Sequence, residues 1–204
     1  MKRSDITQLY FICHINDLTS IFTHGILSHN GVRKNRLRPT PIADPVIQAR
    51  RKKIVVPGTS RQLHDYANLY FNARNPMLFK RRDIHEDLCV LGIMPTILDE
   101  NGVIITDGNA SSDYRGFYDP RWGLTNLEKE LIFAEDWTHE NKYEYWRRKR
   151  CICAEVLVPK RIDPEFIQRI YVSCNTSQEK VRHLIENLPN PIKVVINGRL
   201  FFRD

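Results

Sequence analysis

The run Cys151-Ile152-Cys153-Ala154-Glu155-Val156-Leu157-Val158 reads as a buried β-strand with one carboxylate in its middle. Burying an ionised carboxylate costs several kcal/mol unless a partner compensates the charge. Strand alternation puts Glu155 on one face with Cys151, Cys153 and Leu157, while Ile152, Ala154, Val156 and Val158 take the other. Such a strand either satisfies a local hydrogen bond or holds a reactive group in a cleft.

A chain of 204 residues with 42% hydrophobic content has the material for a substantial core. We expect a single domain over residues 1–204. Lys and Arg number 31 against 24 Asp and Glu, a formal net charge of +7, which suits a polyanionic partner such as nucleic acid. The five cysteines (Cys13, Cys89, Cys151, Cys153, Cys174) are scattered and contain no C-x-x-C, so free thiols in a reducing cytosol are expected and no metal site. Asp5, Gln8 and His14 interrupt the N-terminal apolar stretch where a signal peptide would need continuity. No segment approaches the ~20 apolar residues that span a bilayer. A cytoplasmic protein without membrane association is the expectation, and oligomeric state is not legible.

Along the chain, residues 8–15 read as a first strand, and Asn16 or Asp17 opens a helix closed by Gly25. Residues 28–42, with Pro39 and Pro41, read as a loop, and 45–53 as a short helix. Residues 65–71, 88–93 and 102–106 are strand candidates. Residues 108–122 form a long polar and aromatic loop, and 124–135 a helix. The Glu155 strand follows the polar, aromatic and basic stretch 137–150. A short helix from Asp163, a strand at 170–173 and a helix at 177–188 come next. A hairpin of 192–196 with 200–202 about Asn197-Gly198 ends the chain. Strands first and last with irregularly interspersed helices favour an α+β fold.

Several constellations could carry chemistry. His14 closes the first strand, where an imidazole either bonds to backbone inside the core or meets a polar ligand. Tyr66, Tyr70, Phe71 and Arg74 suit an ordinary aromatic core or stacking on a nicotinamide or nucleobase. Arg50-Arg51-Lys52-Lys53 and Arg147-Arg148-Lys149-Arg150 are either solvated faces or a phosphate-tracking surface. No G-x-G-x-x-G, Walker loop or H-E-x-x-H is present, so a nucleotide would bind by another architecture.

Five segments in order carry a resemblance: Phe11-x-x-His14-x-x-x-Leu18, Gly25-Ile26-Leu27-Ser28, Ile47-x-x-Arg50-Arg51, Asp65-Tyr66-x-x-x-Tyr70-Phe71-x-x-Arg74-x-Pro76-Met77-Leu78, and Ala154-Glu155-x-Leu157-Val158. Together they resemble the DarT family, bacterial toxins that ADP-ribosylate DNA. The resemblance implies an ADP-ribosyltransferase fold with a split central β-structure. It implies NAD as co-substrate, single-stranded DNA as acceptor, and a macrodomain antitoxin as partner. By the same resemblance Glu155 is the catalytic carboxylate and Arg51 assists it, with Arg50 adjacent in register. His14, Asn16, Leu18, Gly25, Tyr70, Phe71 and Met77 would hold NAD. Arg50, Arg74, Arg147, Arg148, Arg150, Tyr114 and Trp122 would meet nucleic acid. The chain has Tyr66-Ala67-Asn68-Leu69-Tyr70-Phe71 where the common form reads Tyr-Val-Pro-Phe-Tyr-Phe, which leaves the accepting base open between thymidine and guanosine.

The chemistry fits those residue types. Breaking a nicotinamide–ribose bond develops positive charge that a carboxylate stabilises, and the attacking base nitrogen needs deprotonation. Two alternatives share the charge pattern: ADP-ribosylation of RNA or a terminal phosphate, and a basic nucleic-acid-binding module without catalysis.

Overall fold

The computed structural model describes residues 1–203. Ten strands occur among them: β1 (Leu9–His14), β2 (Ile26–Leu27), β3 (Tyr66–Tyr70), β4 (Leu88–Ile93), β5 (Ile104–Thr106), β6 (Phe117–Tyr118), β7 (Glu155–Pro159), β8 (Arg161–Ile162), β9 (Ile167–Val172) and β10 (Lys193–Ile196). Eight α-helices accompany them: α1 (Leu18–His24), α2 (His29–Lys34), α3 (Pro45–Arg51), α4 (Pro76–Phe79), α5 (Pro120–Gly123), α6 (Lys129–Ile132), α7 (Lys142–Cys151) and α8 (Asn175–Ile185). An eight-stranded sheet runs in the order β10-β9-β4-β1-β3-β7-β5-β6, and β2 pairs with β8 in a separate ribbon. The fold is α+β, a mixed sheet with helices packed on it.

The sheet is split at its centre. β1 and β4 are in register over six residue pairs, from Leu9–Ile93 to His14–Leu88. β3 and β7 are in register over five, from Tyr66–Pro159 to Tyr70–Glu155. β1 and β3 share only Tyr10 with Tyr70, so beyond that point the two strands diverge. Residues opposite one another in an antiparallel pair project to the same face, so Tyr10, Tyr70 and Glu155 form one row at the apex of the split.

The two faces of the sheet carry separate apolar clusters. Leu9, Cys13, Leu69, Phe71, Leu91 and Ile170 pack against Leu18 and Ile21 of α1 and Val181 of α8 on one side. On the other, Ile12 and Val90 pack with Leu78, and Tyr10, Tyr70 and Met77 lie against them. Leu157, Tyr66, Leu63, Val56 and Ala110 continue that second face.

Capping residues start the helices that matter for the site. The Asp44 carboxylate accepts from the N–H groups of Val46 and Ile47, and Pro45 takes the first turn of α3, where no N–H partner is needed. Asn75 and Pro76 do the same for α4, and Asn141 caps α7.

Several expectations need correction. The 28–42 stretch contains α2, started by Ser28, whose hydroxyl accepts from Gly31 N–H. The helix expected over 124–135 is broken at Leu127, which turns extended and is buried in the core, leaving only the short α6. The 137–150 stretch contains α7, whose apolar positions follow no helical period, so Asn141 was its best sequence mark. Cys151 ends that helix, and β7 begins only at Glu155, so Cys151 and Cys153 do not share a strand face with it. The terminal hairpin is absent. α8 crosses over and sets β10 parallel to β9, and Asn197-Gly198 opens a 3-10 turn in which the Asn197 side chain accepts from Leu200 N–H.

Candidate active site

Glu155 is fully buried at the start of β7, and its charge has partners. Arg51, last residue of α3, donates from Nη1 to Glu155 Oε1 and from Nη2 to Oε2, each at 2.9 Å. The Ala110 N–H also donates to Oε1, at 2.9 Å. This fork-on-fork geometry is the strongest form of carboxylate pairing and fixes the direction of both side chains. Burial opposes the charge on Arg51, yet the Glu155 carboxylate and its hydrogen bonds outweigh this and raise the guanidinium pKa.

The backbone beneath the carboxylate is tied down as well. Glu155 N–H donates to Thr106 Oγ1 at 3.1 Å, and that hydroxyl donates to Gly108 O at 2.6 Å. Thr106 therefore holds the turn that delivers the Ala110 N–H. The turn is braced from α7, since Asn109 N–H donates to Arg150 O and the Arg150 side chain pairs with Asp107 at 3.1 Å.

Tyr70 lies beside Glu155 in the apical row. Burial first, and then the nearby carboxylate, push its phenol well above the usual tyrosine range, so Tyr70 stays a neutral hydroxyl at any working pH. His14 ends β1 on the same face as Tyr10, four residues along the strand. Its Nδ1 accepts the Asn16 N–H at 3.1 Å, which leaves the proton on Nε2 as a donor.

The row thus brings a carboxylate, a guanidinium, two tyrosine rings and an imidazole N–H to one face of the sheet at its split. That donor set suits a ligand with ribose hydroxyls and a planar ring. No group of three His, Cys, Asp or Glu side chains able to hold a metal ion occurs among the described residues.

Arg50 is resolved from Arg51 by direction. Its guanidinium leaves the cleft and pairs with Asp113, fastening α3 to the 108–122 loop. Met77 lies half-buried with Tyr10 and Tyr70, and Asn16 is exposed beside His14. Tyr114 and Trp122 are 84% and 78% exposed, free to stack.

Other expected site residues have different work. Leu18 and Phe71 are fully buried in the cluster on the opposite face of the sheet, so their side chains support the site and do not line it. Gly25 is buried at the C-cap of α1 with φ +80°, and a Cβ there would meet Ile162 O at 2.4 Å; its part is to let the chain turn. Arg74 donates to the carbonyls of Glu135 and Arg199 and stacks 4.2 Å over Phe202, so it clamps loops. Arg147 is engaged by Glu128 and Glu144, and Arg150 by Asp107. Arg148 is half-buried, with its Nε unpaired. Arg147 and Arg150 therefore brace α7 against the neighbouring elements.

Sequence reasoning missed Thr106, Ala110 and Tyr10. The 108–122 loop stands out by its polar and aromatic composition, but a backbone N–H donor such as Ala110 leaves no trace in residue type.

A model of the family described as "ssDNA thymidine ADP-ribosyltransferase, DarT" matches residues 10–202. The chain belongs to the DarT family. It is similar to a DNA ADP-ribosyl transferase–DNA ADP-ribosyl glycohydrolase fusion protein of Thermosipho africanus, at 34% identity over 192 residues. That match covers 91% of this chain and 47% of the relative, so the chain spans about half of the fusion protein's length. Thermosipho africanus DarTG in complex with ADP-ribose superposes with a TM-score of 0.85 at 32% identity, over 97% of this chain and 51% of that one. Thermus sp. 2.9 DarT in complex with ADP-ribosylated single-stranded DNA gives 0.83 at 25% identity, over 96% of both chains. In this chain the split sheet carries Glu155 and its partner Arg51 at the apex. No helix among the described residues is long and apolar enough to cross a membrane.

Proposed function

We propose that this chain transfers ADP-ribose from NAD to a base of single-stranded DNA, with Glu155 and Arg51 as the catalytic pair. The observation that carries the residue assignment is the buried two-bond pairing of Arg51 with Glu155 in the row of Tyr10 and Tyr70. The family description names thymidine, and thymidine is the acceptor this reading takes. The altered Tyr66–Phe71 segment makes the base worth identifying by mass spectrometry of the modified oligonucleotide.

NAD supplies the ADP-ribosyl group and a nicotinamide leaving group. His14 donates from Nε2 to a ribose or amide oxygen of the bound dinucleotide, and the rings of Tyr10 and Tyr70 with the Met77 thioether form the apolar floor. Glu155 stabilises the positive charge that grows on the ribose as the glycosidic bond breaks, or takes the proton of the attacking ring nitrogen. Arg51 stabilises the base as it loses that proton. Arg51 and the Ala110 N–H both bond Oε1, whereas Oε2 accepts only from Arg51 and keeps an acceptor position for substrate. The base must leave any stack to reach a residue so deep, which favours a single strand. Tyr114 and Trp122 are placed to stack with neighbouring bases.

By analogy with the fusion relative, a DNA ADP-ribosyl glycohydrolase that removes the modification is the partner this activity calls for, as in a toxin–antitoxin pair. The test of the activity is transfer of label from NAD to single-stranded DNA, with RNA and 5′-phosphorylated oligonucleotides in parallel. Glu155→Gln should lower the rate about 10²- to 10⁴-fold. Wild-type turnover by that variant overturns the assignment, and label confined to RNA overturns the DNA reading.

A further inference from the structure

The family fold explains the cleft but leaves the charge of the chain unspent. Between Leu18 and His64 the sequence carries nine Lys and Arg residues and one carboxylate, Asp44. Asp44 is occupied with the cap of α3 and with Lys80. Arg51 is buried in the site and Arg50 is paired with Asp113. The remaining cations of α2, the loop after it and the end of α3, namely Arg33, Lys34, Arg36, Arg38, Lys52 and Lys53, are all exposed. None of the six makes an ion pair among the described residues.

These cations are held together by packing. The His29 ring of α2 stacks on His64, with centroids 4.1 Å apart, and His64 Nε2 meets Gln48 Oε1 of α3 at 3.1 Å. Burial, followed by the charges of Arg33 and Lys52, depresses the His29 pKa, which puts both helices' cations within electrostatic reach of one ring. The loop between the helices is pinned where Asp17 accepts the Thr40 N–H at 3.0 Å, three residues beyond His14. The cationic segment therefore runs from α2, past the His14 edge of the cleft, to the residues directly after Arg51.

A solvated cluster of unpaired like charges destabilises the chain that carries it, so it needs an anionic occupant to be an advantage. We propose that α2, the loop 35–44 and the end of α3 form the track for the phosphate backbone of the DNA strand flanking the modified base. The 147–150 run, whose arginines are neutralised or half-buried, has no such part. This track rests on the DNA-modifying reading given above, and it identifies where that substrate's backbone lies. Each phosphate neutralised on a single strand releases counterions and contributes about 0.7 to the salt slope of binding.

The experiment is equilibrium binding of a fluorescent single-stranded oligodeoxynucleotide to the whole chain, without NAD, over a salt series. The combined Arg33→Gln, Lys34→Gln, Arg36→Gln and Arg38→Gln variant should bind about tenfold or more weakly at low salt, with a slope shallower by about 3. A control removes the same number of exposed charges at the opposite sheet edge and C-terminal end: Arg169→Gln, Arg182→Gln, Lys193→Gln and Arg203→Gln. It should keep the wild-type slope. An unchanged slope in the first variant, or an equal loss in the control, overturns the track. A loss confined to RNA of the same sequence also overturns it. Absence of NAD-dependent transfer by the wild type overturns the activity instead, and the binding comparison still decides the track.

Discussion

Arg51 and Glu155 meet through two hydrogen bonds of 2.9 Å each across 104 residues of sequence, at a point where the carboxylate has no contact with solvent. Two buried charges so arranged contribute little net stability compared with a well-packed apolar pair, because both lost their hydration. Removing one of them is another matter, since the survivor is left buried and unpaired. Arg51→Met should therefore destabilise the protein by about 3–5 kcal/mol, a fall in melting temperature on the order of 10 °C for a chain of this size. Arg51→Lys should recover only part of it, because an ammonium cannot reproduce the planar fork. Scanning calorimetry of the two variants checks both statements, and Arg51→Met melting with the wild type would contradict them.

Thr106 is expected to act through Glu155. Thr106→Val keeps the shape of the side chain but strands the Glu155 N–H and the Gly108 carbonyl, at a cost of about 1–3 kcal/mol. The rate of ADP-ribosyl transfer at saturating NAD should drop while the KM for NAD changes little, because the residue aims the carboxylate and touches no substrate. Thr106→Ser should restore the rate. A raised KM with an intact rate constant would instead make Thr106 a binding residue.

The pH dependence of stability should carry a mark of His64. Burial, the stacked His29 and then the Arg51 charge push its pKa down from 6.5 to about 4. The folded form is therefore neutral where the unfolded chain binds a proton, and stability contributed by the neutral ring is present above pH 6.5. It is lost progressively as pH falls from about 6.5 to about 4, and no further below that. His64→Gln should flatten this part of the profile in denaturant titrations at several pH values. Parallel profiles for variant and wild type would refute the assignment.

Trp122→Ala and Tyr114→Ala should weaken single-strand binding by about 1–3 kcal/mol for each base that loses its stacking partner. Both rings lie almost wholly in solvent, so the melting temperature should hold. Fluorescence anisotropy with the same oligonucleotide gives the affinity, and a variant that binds as tightly as the wild type removes that ring from the interface.

The legible part of this chain was what side-chain type encodes. The carboxylate in the Glu155 run, the Gly25 cap, the α3 start at Asp44-Pro45 and the α+β class all follow from local chemistry and period. What failed depended on partners distant in sequence. Arg74, Arg147 and Arg150 look like any exposed cation until the Glu135 carbonyl, Glu128 and Asp107 arrive from elsewhere. Phe71 differs from Tyr70 only in which side of the sheet it takes, and a single register decides that. Asn197-Gly198 carries a good hairpin signal, but the preceding crossover by α8 had already committed β10 to a parallel neighbour.

The single Tyr10–Tyr70 register point divides the large sheet into two four-stranded plates, β10-β9-β4-β1 and β3-β7-β5-β6. Elsewhere in the sheet backbone ladders join neighbours over several residues; at this seam the shared apolar cluster beneath does most of that work. A ligand lying across it acts as a staple between plates, with His14 on one and Glu155 on the other. Occupancy should then register beyond the site itself, as slower hydrogen exchange along both strands that flank the seam.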